Sequence, residues 1–197
     1  MKNIKYLIQF IFLFLLFGIF KILGLKLSLL ISKFIFTQIG PFFRSNTISQ
    51  INLSYAFKDI NKSHKDKIIK KMWGNYGKIF AEYMFIKQFR KNPKFSKKIF
   101  IDNGQIINEI KESSEPVIFI SGHFNNFELM AMQIEKSGIN LAAVYRPLNN
   151  FFLNPIMECI RKKYICRNQI KKGISGMKDL LKSFKDKSSI ALMIDQR

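Results

Sequence analysis

The feature that most restricts the fold of this chain is an apolar segment close to its N-terminus. Residues 6–20 read YLIQFIFLFLLFGIF and carry no charged side chain. After Lys21 the apolar pattern continues through ILGL as far as Lys26. This length approaches the roughly 20 residues that a helix needs to cross the hydrocarbon core of a bilayer. The sequence therefore predicts a helix that enters a membrane.

A secretory signal peptide is the alternative interpretation of this segment. Lys2 and Lys5 form a basic start, and the apolar run is compact, as in signal peptides. The residues that follow, KILGLKLSLL, are bulky and basic where small residues would mark a cleavage site. The sequence thus favours a retained anchor over residues 1–35, either transmembrane or deeply interfacial. Lysines flank both ends of the anchor, so they do not determine its orientation.

The charge balance restricts the partners that the chain could bind. There are 33 Lys plus Arg against 13 Asp plus Glu, a net charge of +20, but 48% of the residues are hydrophobic, which excludes a disordered basic tail. Only 6 of the cations are Arg and 27 are Lys, whereas readout of bases favours the bidentate guanidinium. No zinc-finger spacing or RNA-binding signature occurs. The charge predicts attraction to an anionic membrane and to an acidic protein, and no binding of nucleic acid.

The cysteine content excludes two further classes of protein. Cys159 and Cys166 are too few for a disulfide framework or for a four-ligand zinc site. We expect both to be ordinary thiols in a reducing compartment.

A long helix is predicted after a connecting region that contains one short helical piece at residues 52–57. The pattern Ser63-x-x-Asp66 is typical of a capping box at the start of a helix. Apolar residues then recur at three- and four-residue steps, and most lysines lie off this stripe. The stripe contains Ile69, Met72, Trp73, Tyr76, Ile79, Phe80 and Tyr83. Packing in the domain core is the favoured role of this helix, and a membrane-surface or partner-binding role is the alternative.

After residue 93 the pattern changes to short apolar runs separated by helical stretches. Strands are predicted at residues 98–102, 116–121, 141–145 and 189–194, and helices at 104–112, 126–136, 153–163 and 175–185. This alternation predicts an α/β domain with a mixed, largely parallel sheet flanked by helices. In such sheets functional residues gather at the carboxyl ends of the strands.

One stretch at such a strand end carries candidate catalytic residues. The sequence SGHFNNFE, residues 121–128, leaves the predicted strand at 116–121 and enters a helix. If His123 lies in the turn, its imidazole can bend back to Glu128, which would make a general base with an orienting carboxylate. A helix-capping turn with a surface His123 explains the spacing equally well. His64, the only other histidine, is assigned no role.

Several motifs together resemble a known family. SGHFNNFE is followed by VYRPLNN at residues 144–150 and by MIDQR at residues 193–197. NLSYAF at 52–57, WGNYGKIFAEY at 73–83 and KKGISGMKDLL at 171–181 add to the pattern. In this order they resemble the lipid A branch of the lysophospholipid acyltransferase superfamily, the lauroyl and myristoyl transferases. The resemblance spans nearly the whole chain and implies a glycerolipid acyltransferase-like fold over residues 36–197.

The resemblance also implies roles for individual residues. His123 would be the general base and Glu128 its partner, while Arg146 would engage a phosphorylated substrate or the acyl carrier. Asp195 and Arg197 would line the substrate pocket, although a structural ion pair between them is an equal alternative. Asn125 and Phe127 stand where family members commonly have Gly and Trp. Family members continue beyond the point that corresponds to residue 197, so we expect a chain shortened at its C-terminal end, with part of the acyl pocket outside it.

The function implied is that of a membrane-associated O-acyltransferase of lipid A assembly. It would move a fatty acyl group from acyl carrier protein, or from acyl-CoA, to a hydroxyl of a phosphorylated lipid A precursor, with no metal or other cofactor. The expected location is the bacterial inner membrane, with the catalytic domain in the cytoplasm. Two alternatives remain open: a glycerophospholipid or another glycolipid as acceptor, and an inactive, basic, membrane-binding remnant of the enzyme.

Overall fold

The computed structural model describes residues 2–195. Contacts within the chain group into two compact units, one formed by residues 15–85 and the other by residues 1–14 together with 86–197. We describe each unit separately. The division between anchor and catalytic domain that was expected after residue 35 stays a prediction.

The first helix, α1, covers Lys2–Phe43 and contains the apolar segment. Gly24 interrupts it with φ 72° and ψ 171°, a conformation that is available to glycine and costly for other residues. The Ser28 hydroxyl lies 3.0 Å from the Phe20 carbonyl oxygen and 2.7 Å from that of Gly24, so it satisfies carbonyls that the break leaves without helical partners. Residues 2–23 then form about 33 Å of helix, enough to span a bilayer core. The most apolar window of α1 has a mean hydropathy of 2.4 and is 6% buried, so α1 is long and apolar enough to cross a membrane.

The unit of residues 15–85 contains the later part of α1, α2 (Thr47–Ala56) and α3 (Lys62–Tyr83). The long helix and the short one before it are therefore both present, but the predicted capping box is wrong. The Asn61 side chain caps α3 by accepting a 2.9 Å hydrogen bond from the His64 backbone N–H. The buried line of α3 consists of Ile69 and the small residues Gly74, Gly77 and Ala81. Gly74 and Gly77 face α1, and Ser32 of α1 donates a 2.7 Å hydrogen bond to the Gly77 carbonyl.

The other unit contains four parallel strands and the helices around them. The helices are α4 (Ile86–Lys91), α5 (Pro93–Ser96), α6 (Gln105–Ser113), α7 (Glu128–Lys136), α8 (Asn154–Tyr164) and α9 (Ile174–Lys185). The strands are β1 (Ile118–Ser121), β2 (Leu141–Tyr145), β3 (Asn168–Lys171) and β4 (Ser189–Met193), in the spatial order β1-β4-β2-β3. Every pairing between them is parallel. The predicted α/β class, with a parallel sheet flanked by helices, is confirmed.

Two strand assignments differ from the prediction. Residues 98–102 form no strand, and the side chains of Phe100 and Ile101 are 88% and 49% exposed. An apolar run becomes a strand only if a neighbouring strand accepts its hydrogen bonds, and the run KIFID has none within the described residues. Conversely, β3 was missed because its sequence NQIK is mostly polar, and only Ile170 is buried.

The core of this unit lies between the sheet and α9. Ala142 of β2, Ile170 of β3, Leu180 of α9 and Ile190 of β4 form one buried cluster. Helix α9 packs against β2, β3 and β4, while α7 packs against β2 and α8 against β3. Because all four strands are parallel, their carboxyl ends meet at one edge of the sheet, where the candidate residues lie.

Candidate active site

The carboxyl edge of the sheet brings together residues that are far apart in sequence. His123 follows β1, Asp195 follows β4, Arg146 follows β2 and Lys172 follows β3. Since β1 and β4 are neighbours with Ser121 paired to Met193, the two residues beyond these strand ends lie side by side. The sheet order therefore explains how positions 123 and 195 meet.

His123 binds Asp195 through two hydrogen bonds. The His123 backbone N–H donates to Oδ2 of Asp195 at 2.8 Å, and Nδ1 of its ring lies 2.7 Å from Oδ1. The backbone hydrogen bond is the main cause that lowers the pKa of the Asp195 carboxyl below its ordinary value, and the ring contact adds to it. Both side chains are about one-third exposed, and His123 lines a cleft. The ring of Phe127 meets the imidazole edge to face, with 4.7 Å between centroids.

This geometry determines which ring nitrogen of His123 can act as a base. An ionised carboxylate only accepts hydrogen bonds, so the hydrogen between the two groups belongs to Nδ1. In the neutral imidazole Nε2 then carries the lone pair and can accept a proton from a hydroxyl group. Asp195 thus holds the tautomer that a general base requires.

Glu128 does not contact the Nδ1 atom of His123 as the sequence had suggested. It is the first residue of α7, and its Oε1 accepts hydrogen bonds from Nε and Nη2 of Arg161 at 2.9 and 2.6 Å. The Glu128 and Arg161 side chains are only 11% and 14% exposed. The carboxylate at Nδ1 of His123 is thus that of Asp195, at the end of β4, and not that of Glu128, which binds Arg161. A catalytic role for Glu128 itself stays a prediction.

A second polar network lies beneath the edge, around Glu158 of α8. Its Oε1 accepts hydrogen bonds from the Tyr145 hydroxyl at 2.6 Å and from Asn154 Nδ2 at 2.8 Å. Lys171 Nζ lies 3.5 Å from the same oxygen. Burial, together with the bond to Glu158 and its charge, raises the pKa of Tyr145 to about 12, and the Tyr145 hydrogen bond lowers the pKa of Glu158. The Arg161 guanidinium lies 5.6 Å from the centre of the Tyr145 ring and links this network to Glu128.

A cleft of about 400 Å³ runs along the edge and contains these groups. Its floor is mostly apolar and its charged lining is mostly basic. The apolar lining includes Phe127, Ala131, Val144, Met177, Leu180 and Leu192, and the charged lining consists of Glu128, Arg146, Arg161, Lys171 and Lys172, with His123 beside them. This combination suits a ligand with an apolar chain and an anionic group. Among residues 2–195 no group of three or more His, Cys, Asp or Glu side chains is placed to hold a metal ion.

Three of the five predicted site residues line this cleft, and a fourth binds one of them. His123, Glu128 and Arg146 line it, and Asp195 binds His123. Arg197 lies outside the described residues, and so does the alternative ion pair between Arg197 and Asp195. The substrate-binding roles of Arg146 and Asp195 stay predictions.

Sequence reasoning missed Arg161 and Lys172, which also line the cleft. Arg161 could have been suspected, because a chain with 27 Lys and 6 Arg uses guanidinium groups sparingly and α8 places this one on its buried side. Lys172 gave no such signal. Its position at the cleft depends on β3, a strand that was not predicted from the sequence.

Comparison with known proteins identifies the family of the chain. A family model described as bacterial lipid A biosynthesis acyltransferase matches residues 1–197. Over 115 residues the chain is 24% identical to lipid A biosynthesis acyltransferase 2 of Shigella flexneri, a match that covers 58% of this chain and 36% of that relative. No solved structure matches. The chain thus spans little more than a third of the curated relative, but the family match covers its whole length. This protein, with an N-terminal apolar helix, a parallel sheet and a His123–Asp195 pair at the carboxyl edge, belongs to the bacterial lipid A biosynthesis acyltransferase family.

Proposed function

We propose that this protein transfers a fatty acyl group from acyl carrier protein to a hydroxyl of a phosphorylated lipid A precursor, with His123 as general base. The observation that carries the proposal is the 2.7 Å contact between His123 Nδ1 and Asp195 Oδ1 in a basic, apolar-floored cleft. That contact leaves Nε2 available for the acceptor hydroxyl. Acyl-CoA is the alternative thioester donor, and the proposal includes no metal or other cofactor.

The proposed reaction is a direct transfer. His123 Nε2 takes the proton of the acceptor hydroxyl while the oxygen attacks the thioester carbonyl and forms a tetrahedral oxyanion. When the oxyanion collapses, the C–S bond breaks, the new ester remains on the acceptor, and the imidazolium returns its proton to the departing thiolate. Asp195 stabilises the imidazolium between these two proton transfers. Glu128, held by Arg161, is proposed to keep the floor of the site in place and to assist the chemistry from there.

The distribution of charge and apolar surface supports the proposed partners. The apolar floor of the cleft offers contacts to an acyl chain, and the net charge of +20 favours an acidic carrier protein and anionic lipid. Helix α1 is proposed to anchor the chain in the inner membrane with the cleft facing the cytoplasm, where a thioester donor would be supplied. A membrane anchor also brings the cleft close to a lipid acceptor.

The test is a transfer assay in membranes with acyl carrier protein thioester and phosphorylated acceptor. Replacement of His123 by Ala removes the base, so we expect the rate to fall about 10²- to 10⁴-fold while the amount of protein in the membrane is unchanged. His64→Ala is the matched control, because His64 is an exposed residue of α3 whose ring, within the described residues, contacts the side chain of Asn61. Asp195→Asn should also slow the reaction, since a neutral amide stabilises the positive charge of the imidazolium less than a carboxylate does. A rate of His123→Ala equal to that of His64→Ala would contradict the mechanism, and lipid binding without any transfer by the wild type would contradict the activity.

A further inference from the structure

The charged groups around the cleft are mostly neutralised by partners. Three pairs account for this: Arg161 with Glu128, His123 with Asp195, and Lys171 with Glu158. Two cations differ. Among the residues that the structure describes, the side chains of Arg146 and Lys172 have no hydrogen-bond or ion-pair partner, although both line the cleft. Within the described part of the chain, the cleft therefore has two positive charges that no carboxylate contacts.

Backbone geometry holds these two cations side by side. Arg146 is the first residue after β2 and Lys172 the first after β3, and the Lys172 backbone N–H donates a 2.8 Å hydrogen bond to the Tyr145 carbonyl. Neighbouring strands lie about 4.8 Å apart, so two long side chains that start from them can converge on one anion. A guanidinium supplies two parallel donors and an ammonium a compact charge, a combination that matches the oxygens of a phosphoryl group. Without an anion the two like charges only repel each other.

The position of the cations relative to the base restricts the ligand further. β4 lies between β1, which carries His123, and β2, which carries Arg146. Two strand spacings therefore separate the base from the cations, a distance of about 10 Å. A substrate that contacts both the base and the two cations must carry its anionic group about 10 Å from the hydroxyl or thioester that reacts.

The family resemblance already assigns Arg146 to a phosphorylated substrate or the acyl carrier; we propose that Lys172 binds a phosphoryl group of the substrate beside it, and that Lys172 is a specificity-determining residue of the transfer. The inference rests on the proposed function, because it places the anion in the same cleft as the base. The phosphoryl group belongs to the acceptor lipid or to the thioester donor, and kinetics can distinguish these sources.

The first experiment measures binding by the full chain in detergent and does not require turnover. The probes are a glucosamine disaccharide that carries phosphate groups and the same disaccharide without them. We expect the wild type to prefer the phosphorylated probe, and Lys172→Gln to weaken its binding about tenfold. Lys178→Gln is the matched control, because Lys178 is an exposed residue of α9 outside the cleft and its loss changes the net charge equally. His123→Ala should bind the probe as the wild type does.

The second experiment identifies the source of the phosphoryl group. In the transfer assay Lys172→Gln should raise KM about tenfold for the substrate that carries the group, with little change in kcat. A higher KM for the acceptor assigns the phosphoryl group to the lipid, and a higher KM for the donor assigns it to the carrier. Equal effects of Lys172→Gln and Lys178→Gln in both experiments would overturn the inference even if transfer depends on His123. Conversely, transfer that does not depend on His123 would refute the proposed mechanism and leave the binding result intact.

Discussion

The buried pair of Glu128 and Arg161 allows structural and chemical roles to be separated by a double-mutant cycle. Its two hydrogen bonds, of 2.9 and 2.6 Å, end on one carboxylate oxygen, and both side chains are nearly buried. Methionine is similar in length to both residues, so Glu128→Met and Arg161→Met remove charge with little change in volume. Each single change leaves the other charge buried without this partner, which should cost about 3 kcal/mol of unfolding free energy.

The double variant should differ sharply from the sum of the single ones. Two apolar side chains of similar volume can pack against each other, so Glu128→Met combined with Arg161→Met should cost about 1 kcal/mol or less. Arg161 retains its contact with the Tyr145 ring, so Glu128→Met should be the milder single change. The double variant should therefore be folded and still fail to transfer the acyl group, because the predicted catalytic role of Glu128 requires its carboxylate.

The assay is urea denaturation of the full chain in detergent, followed by far-ultraviolet circular dichroism. Trp73 fluorescence is unsuitable, since Trp73 lies in the unit of residues 15–85 and the pair lies in the other unit. Additive costs, with a coupling below about 0.5 kcal/mol, would refute the claim that the pair stabilises the fold. A folded double variant with wild-type transfer would refute the catalytic role of Glu128.

Two further predictions concern the helix contact and the buried phenol. Gly77→Ala places a Cβ in steric overlap with the Ser32 carbonyl oxygen, so it should destabilise the chain by about 2 kcal/mol in urea denaturation. Gly18→Ala, with nothing within 4 Å, should cost almost nothing, and equal costs would contradict the close packing of α1 and α3. Because the pKa of Tyr145 is raised from 10.0 to about 12, its phenol should contribute stability below pH 10 that is lost as the pH rises towards 12. Ultraviolet titration should show a late-titrating tyrosine that Tyr145→Phe removes, and an unchanged titration curve of Tyr145→Phe would refute the assignment.

The fold was largely predictable where local pattern and tertiary environment agree. The strand at residues 141–145 was predicted with its observed bounds, because it is apolar throughout and buried. Residues 98–102 also contain a run of apolar residues, but they have no neighbouring strand in the described part of the chain, whereas NQIK became a strand because β2 was available to pair with it. Whether a short segment forms a strand thus depended on its neighbours, and composition alone could not decide it.

The candidate site shows the same division between local and long-range information. His123, Glu128, Arg146 and Asp195 were all named from local motifs and their resemblance to a family. Their pairing was not predictable, because the spacing of His123 and Glu128 suggested a local contact, whereas the contact of His123 with Asp195 joins the ends of two neighbouring strands that are far apart in sequence. Glu128 then proved to be bound to Arg161, which sequence reasoning had overlooked.

The sequence by itself determined that an apolar helix begins the chain, that an α/β domain follows, and that a histidine and two carboxylates lie near strand ends. These properties depend on hydrophobic periodicity and on turn residues, which act over a few positions. Only the tertiary structure decided which carboxylate contacts His123 and which cleft cations have no partner among residues 2–195. Those outcomes depend on the strand order β1-β4-β2-β3, because strand order determines which chain ends become neighbours at the carboxyl edge.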